Sequence, residues 1–169
     1  PNGVVVDDWI IDESSSLPDP IMQVISRMRS QNHLIVCYAG AHGEPNALEN
    51  LLNAAEVLRN DRISFLLVGN GNIRNDLGKI VKLKALTNVA MFKGIPKNLI
   101  PKLLAMIDVG FIGAKDSPIY RHGISPNKIM DYMMAEIPVI CAINGGNDPV
   151  DDAQCGFSIE PNNSDALAS

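Results

Sequence analysis

Cysteine, aromatic residues, long apolar runs and excess positive charge are all scarce in this chain of 169 residues. Its three cysteines, Cys37, Cys141 and Cys155, are widely separated and form neither a paired framework nor a CxxC spacing. That excludes a disulfide scaffold and leaves buried, reduced thiols as the expectation. His33, His42 and His122 show no HxxxH or His/Cys clustering, so no metal is assigned and no cofactor is expected. Lysine and arginine number 14 against 19 acidic residues, a net charge of −5, which excludes a general electrostatic footprint for nucleic acid. Any phosphate must then be held locally. Apolar runs such as Phe65 to Val68 fall far short of the ~20 residues of a membrane span. No signal-peptide pattern opens the chain, and a cytoplasmic location is the expectation.

What is present has the composition of a globular domain, with 46% hydrophobic and 20% charged residues in a length suited to one core. From Leu34 onward, short β-rich runs alternate with amphipathic stretches, the pattern of βα units around a parallel sheet. Strands are expected over Leu34–Ala39, Ser64–Val68, Val89–Phe92, Val109–Ile112, Val139–Ala142 and Gly156–Ile159. Their continuous apolar character suits strands buried on both faces. Helices are expected over Ala47–Leu58, Ile73–Leu86 and Leu99–Met106, where apolar residues recur at helical spacing. The fold class predicted is α/β, a doubly wound, Rossmann-like parallel sheet. Asp12 to Asp19 reads as a linker before a helix from about Pro20 to Ser30, which either caps the sheet or belongs to a junction with another domain. The chain divides, on this reading, into a linker with its helix (1–32) and the main domain (33–169). Pro1-Asn2-Gly3 and the helix just opening at Ser164 both read as cut ends, so a domain upstream and the C-terminal remainder are expected to be missing.

The most informative stretch runs from Tyr120 to Ile140. Ser125 is a favourable N-cap and Pro126 suits the first helical position. The N–H groups of that helix, its positive dipole end and the cation of Lys128 would face the edge of the sheet where doubly wound folds bind ligands. This is a candidate diphosphate site. Asp131 lies one helical turn after Asn127, where a carboxylate can accept bonds from both ribose hydroxyls. An ordinary capped helix with solvated Lys128 and Asp131 would show the same residues. Gly69 and Gly71 follow the second strand, and Gly40 and Gly43 the first, so backbone there can approach a ligand closely, although tight turns use glycine for geometry alone. Arg74 stands near enough to reach an anion at the same edge, or is simply a solvated first-turn arginine. His42 is a candidate donor to a sugar or phosphate, or an exposed loop histidine.

The order of these pieces resembles the C-terminal domain of the GT-B glycosyltransferases, specifically the retaining group called glycosyltransferase family four. The matching stretches are Pro1-Asn2-Gly3, Tyr38-Ala39-Gly40, Leu67-Val68-Gly69-Asn70-Gly71, Asn88 to Gly94 and Ala105 to Gly110. The Ser125-Pro126-Asn127-Lys128 block with Asp131-Tyr132-Met133 and Pro138-Val139-Ile140 completes the set, which spans nearly the whole chain.

The resemblance implies one half of a GT-B fold, a nucleoside-diphosphate sugar as ligand and an acceptor held by a separate N-terminal domain. By analogy Asp131 holds the ribose, and Ser125, Asn127 and Lys128 meet the diphosphate. The backbone at Gly94 and Ile95 meets the base, while Gly40 and Gly43 border phosphates and sugar. Three positions depart from the family pattern. Ala41 and Asn46 stand about where an Arg and a Lys serve the diphosphate, and Gly123 replaces the first acid of a paired-glutamate pattern. The Gly-Ile-Ser-Pro-Asn-Lys variant resembles bacterial capsule and lipopolysaccharide enzymes using UDP-N-acetylamino sugars, whose full-length forms would lie at the inner membrane face. Two rivals remain: a sugar-nucleotide epimerase, for which His42 and Asp116 are the loosely placed acid/base groups, and a non-catalytic nucleotide-binding module.

Overall fold

The computed structural model describes residues 3–11, 14–124 and 127–169. The chain forms a sheet of six parallel strands: β1 (Leu34–Ala39), β2 (Ile63–Val68), β3 (Val89–Phe92), β4 (Val109–Gly113), β5 (Val139–Ala142) and β6 (Gly156–Ser158). Their spatial order is β3-β2-β1-β4-β5-β6. This is the order of dinucleotide-binding Rossmann sheets, in which the direction of winding reverses between β1 and β4. The helices are α1 (Asp19–Ser30), α2 (Leu48–Val57), α3 (Arg74–Leu83), α4 (Ile100–Leu104), α5 (Asn127–Met134), α6 (Pro149–Asp152) and α7 (Ser164–Ala168).

Alternation along each strand divides the core into two layers. Ile35 and Cys37 of β1 pack with Ile21, Ile25 and Met28 of α1, Leu103 of α4, and Ile129 and Tyr132 of α5. The intervening Val36 and Tyr38 pack with Leu48, Leu51 and Leu52 of α2 and Leu77 of α3. Both faces of the sheet are therefore covered, which is why the strands read as unbroken apolar runs. Helix α1 caps the sheet, and its end is fastened below the strands. Arg29 donates to both carboxylate oxygens of Asp108 at 2.8 Å and to the carbonyl of Met106 at 3.0 Å. Asp108 in turn accepts from the Ile35 amide at 2.7 Å.

Strand positions follow the sequence reading within one residue, and helix ends less closely. Helix α3 stops at Leu83, short of the expected Leu86, because Ala85 turns left-handed (φ 49°) and the Leu86 amide bonds back to Val81 at 3.0 Å. The same non-glycine termination follows α1 at Asn32 and α5 at Glu136. Cys37 and Cys141 are buried as expected, whereas Cys155 is half-buried. No helix among the described residues is long and apolar enough to cross a membrane.

Candidate functional site

Pairing between β1 and β4 extends over only two residue pairs, Val36 with Val109 and Cys37 with Gly110. Beyond them the strands part, and the loops after β1, β2 and β3 surround a cleft of about 400 Å³ at their C-terminal ends. Gly40 and Ala41 form one wall with Gly69 and Asn70, and Gly94, Ile95, Lys97 and Ile100 form a second. Helix α5 closes the third with Asn127, Lys128 and Asp131. Of the residues named from sequence, Gly40, Gly69, Gly94, Ile95, Asn127, Lys128 and Asp131 thus come together. Gly43, Gly71, Arg74 and His42 do not line this cleft, and Ser125 lies outside the described residues, as does Pro126.

Lys128 crosses Gly40 to reach the cleft, with its ammonium 5.3 Å from the centroid of the Tyr38 ring. A Cβ at Gly40 would strike the Lys128 side chain at Cε, so glycine here leaves the path for the lysine. Burial holds the Lys128 pKa below the ordinary lysine value, with Asp131 opposing the shift. Burial likewise raises the Asp131 carboxyl, against the pull of Lys97 and Lys128. Both charges are held at a cost that a diphosphate beside the lysine, and ribose hydroxyls beside the carboxylate, would reduce.

Gly69 and Gly71 have another role. A Cβ on Gly69 would meet the Gly40 carbonyl, and one on Gly71 would meet the His42 backbone. The loops instead continue the sheet's pairing past its strands: Gly40 donates to Val68 at 2.9 Å, His42 to Asn70 at 2.8 Å and Gly69 to Phe92 at 3.1 Å. These glycines let two loops pack backbone to backbone, and Gly69 reaches the cleft as a consequence. Asn70 then accepts from the Gly94 amide at 3.2 Å, tying the third loop to the second.

His42 is fully buried under this loop pair, not exposed. Neither ring nitrogen has a partner among the described residues, and burial together with Arg74 lowers its pKa to about 4. It stays neutral near pH 7 and packs against Tyr38, with ring centroids 6.0 Å apart. Arg74 has its Nε buried beside it. Sequence spacing also missed Lys97, which joins the cleft because the β3–α4 connection folds toward α5. Its position just after Gly94-Ile95-Pro96 was the available signal. With Ile100 and Asp131, Lys97 also borders a neighbouring hollow of about 410 Å³ that includes Trp9.

A crevice at the switch point, lined by glycine-bearing loops, two lysines and one carboxylate, suits a phosphorylated ligand with a polyhydroxyl group. The family model for glycosyl transferases group 1 matches residues 33–169. The chain belongs to this family.

Among relatives of this group 1 chain, WcaI of Escherichia coli, named as a colanic acid biosynthesis glycosyl transferase, is 33% identical over 106 residues. The match covers 60% of this chain and 25% of WcaI. Among solved structures, Anabaena HepE in complex with UDP-glucose superposes with a TM-score of 0.71 at 19% identity, covering 99% of this chain and 44% of that one. WaaG, a glycosyltransferase involved in lipopolysaccharide biosynthesis, gives 0.68 at 20% identity, with the same 99% and 44% coverage. These structures share the GT-B-type α/β fold seen here, and the chain spans less than half the length of each relative.

Proposed function

We propose that this chain binds the nucleotide-sugar donor of a glycosyltransferase, as the C-terminal half of a retaining enzyme of glycosyltransferase family four. The observation that carries the reading is the convergence of Lys128, Asn127 and Asp131 of one helix on Gly40, Gly94 and Ile95 around one cleft. In this assignment Asp131 accepts from the ribose hydroxyls, Lys128 and the N-terminal end of α5 face the diphosphate, and the base lies toward Gly94 and Ile95. Residues 1–32 form the connection and its sheet-capping helix, 33–169 the donor-binding domain, and a separate domain binds the glycan or lipid-linked acceptor. UDP is the nucleotide we assign, since HepE was solved with UDP-glucose. A role in bacterial polysaccharide assembly, in the cytoplasm at the inner membrane face, accords with the names of WcaI and WaaG.

In the transfer, the bond from the anomeric carbon to the diphosphate oxygen breaks and its electron pair leaves with the diphosphate. The sugar passes through an oxocarbenium-like state. Charge growing on the leaving group is then stabilised by Lys128, already placed, with Lys97 as a second cation on the facing wall. A helix terminus adds ~0.3–2 kcal/mol. In this reading these groups carry the phosphate charge without a metal or other cofactor. They also offset the absence of cations at Ala41 and Asn46. Neither acid/base group named for the epimerase alternative lines the cleft: His42 is buried as a weak base, and Asp116 is not among the lining residues.

Calorimetric titration of the chain with UDP, GDP and ADP tests the reading, alongside Lys128→Ala and Asp131→Ala. Saturable binding of UDP that both substitutions weaken about tenfold or more is the expected result. Absence of binding by all three nucleotides would overturn it.

A further inference from the structure

The N-terminal ends of β1, β2 and β3 border a hollow of about 290 Å³, at the opposite end of the sheet from the cleft. Strands of six residues at ~3.3 Å each set the two about 20 Å apart. Arg27 reaches the hollow from the last turn of α1, Arg59 from the chain after α2, Ser64 from β2, and Thr87 and Asn88 from the turn into β3. No carboxylate is among the described residues that line it.

Asn88 points to a ligand. It is 5% exposed, and its Nδ2 donates to the carbonyls of Ala55 at 2.9 Å and Leu58 at 3.5 Å. Two carbonyl partners fix which way the amide faces. Its Oδ1 is then a buried acceptor with no partner among the described residues, and a buried acceptor left unpaired is costly. A hydroxyl donating to it would remove that cost.

The charge around the hollow asks for an anion. Arg59 donates to Glu56 at 3.1 Å, but Lys84 holds the same carboxylate at 2.7 Å. Arg27 has no ion-pair partner among the described residues. Two guanidinium forks on separate elements match a group with several charged oxygens better than one carboxylate, which a single arginine can hold by both oxygens. A phosphate monoester, with a charge of about −1.5 to −2 near pH 7, is such a group. Thr87 and Ser64, the latter with its Oγ 2.8 Å from Nδ1 of His33, add polar groups that suit hydroxyls. The volume stands at the small end of ligand sites, below what a nucleotide sugar needs.

We infer that this hollow is a second ligand site, one that takes a phosphate monoester bearing hydroxyl groups, of about the size of a hexose phosphate. The arginines hold the phosphate, and Asn88 accepts from a hydroxyl. The inference does not depend on the nucleotide-sugar reading of the cleft.

Calorimetric titration of the 169-residue chain with glucose 6-phosphate, inorganic phosphate and glucose tests it. Glucose 6-phosphate is expected to bind saturably and about tenfold or more tightly than the other two, since each of them lacks one half of what the site pairs. Arg27→Gln combined with Arg59→Gln, both at exposed positions, is expected to weaken that binding about tenfold or more and to leave UDP affinity and the melting temperature nearly unaltered. Lys128→Ala is expected to leave glucose 6-phosphate binding as it was. Absence of saturable binding, binding that survives the arginine substitutions, or displacement by UDP would overturn the inference and leave the nucleotide reading standing. Inorganic phosphate bound as tightly as the sugar phosphate would overturn the assignment of a hydroxyl to Asn88.

Discussion

The phenolic oxygen of Tyr132 lies 3.2 Å from the carbonyl oxygen of Phe111 and 3.4 Å from that of Cys37, in the gap where β1 and β4 separate. It also accepts, at 3.5 Å, from the amide of Ala39. The ring fits only because Gly110 carries no Cβ, which would otherwise stand 2.5 Å from ring carbons. One buried hydroxyl thus serves backbone groups of both parting strands and fixes the helix that carries Lys128 and Asp131.

Tyr132→Phe should therefore destabilise the fold by about 1–3 kcal/mol, the cost of leaving buried polar groups unpaired. Urea denaturation would show the midpoint falling with an unchanged slope. An unaltered midpoint would mean that the long hydroxyl contacts contribute nothing.

Gly40→Ala and Gly69→Ala should fail in different ways. At Gly40 the new methyl meets the flexible end of Lys128, at a backbone φ of 159° that side chains rarely adopt, so the lysine is displaced, UDP affinity falls about tenfold and the melting temperature falls with it. At Gly69 it meets the Gly40 carbonyl, and about 1–3 kcal/mol of stability is lost through overpacking. Calorimetry and thermal denaturation on both variants separate the two roles.

His42 makes stability depend on pH. Its folded pKa, about 4, lies below the ordinary 6.5, so the unfolded chain takes up the proton first on acidification. The contribution is complete above pH 6.5 and is lost progressively as pH falls toward 4, up to about 3 kcal/mol. His42→Leu should flatten this part of the profile and leave stability at pH 7 within about 1 kcal/mol, because the ring nitrogens have no partners to lose.

Asp131→Asn should stabilise the unliganded chain slightly and weaken UDP binding. Because burial raises the carboxyl's pKa in the fold, the folded state holds its proton more tightly than the unfolded one. Its ionisation therefore opposes folding as pH rises through that range. Asp131 is half-exposed, and screening limits the gain to less than about 1 kcal/mol. A melting temperature that falls in the variant would show that its attraction to Lys97 and Lys128 outweighs burial.

Strands and helices were legible because apolar runs and helical stripes are local signals. The pairing of Lys128 with Asp131 was legible because one helix carries both. Burial of His42 was not, since it depends on the β1 and β2 loops packing backbone to backbone through Gly69 and Gly71. The same contact gives Gly69, which also lines the cleft, and Gly71, which does not, a packing role that their spacing did not reveal. Lys97 was hidden for a related reason: it joins Asp131 only through the path of the β3–α4 connection, which no periodicity encodes.

The two-pair contact of β1 with β4 places the origin of the cleft in the backbone, not in the side chains that line it. The crevice stands open in the structure, so a ligand that fits it would spend little of its binding energy on reorganisation. Exchange of residues around the rim can then change which ligand is preferred while the opening itself persists, a division that separates the evolution of specificity from the maintenance of the fold.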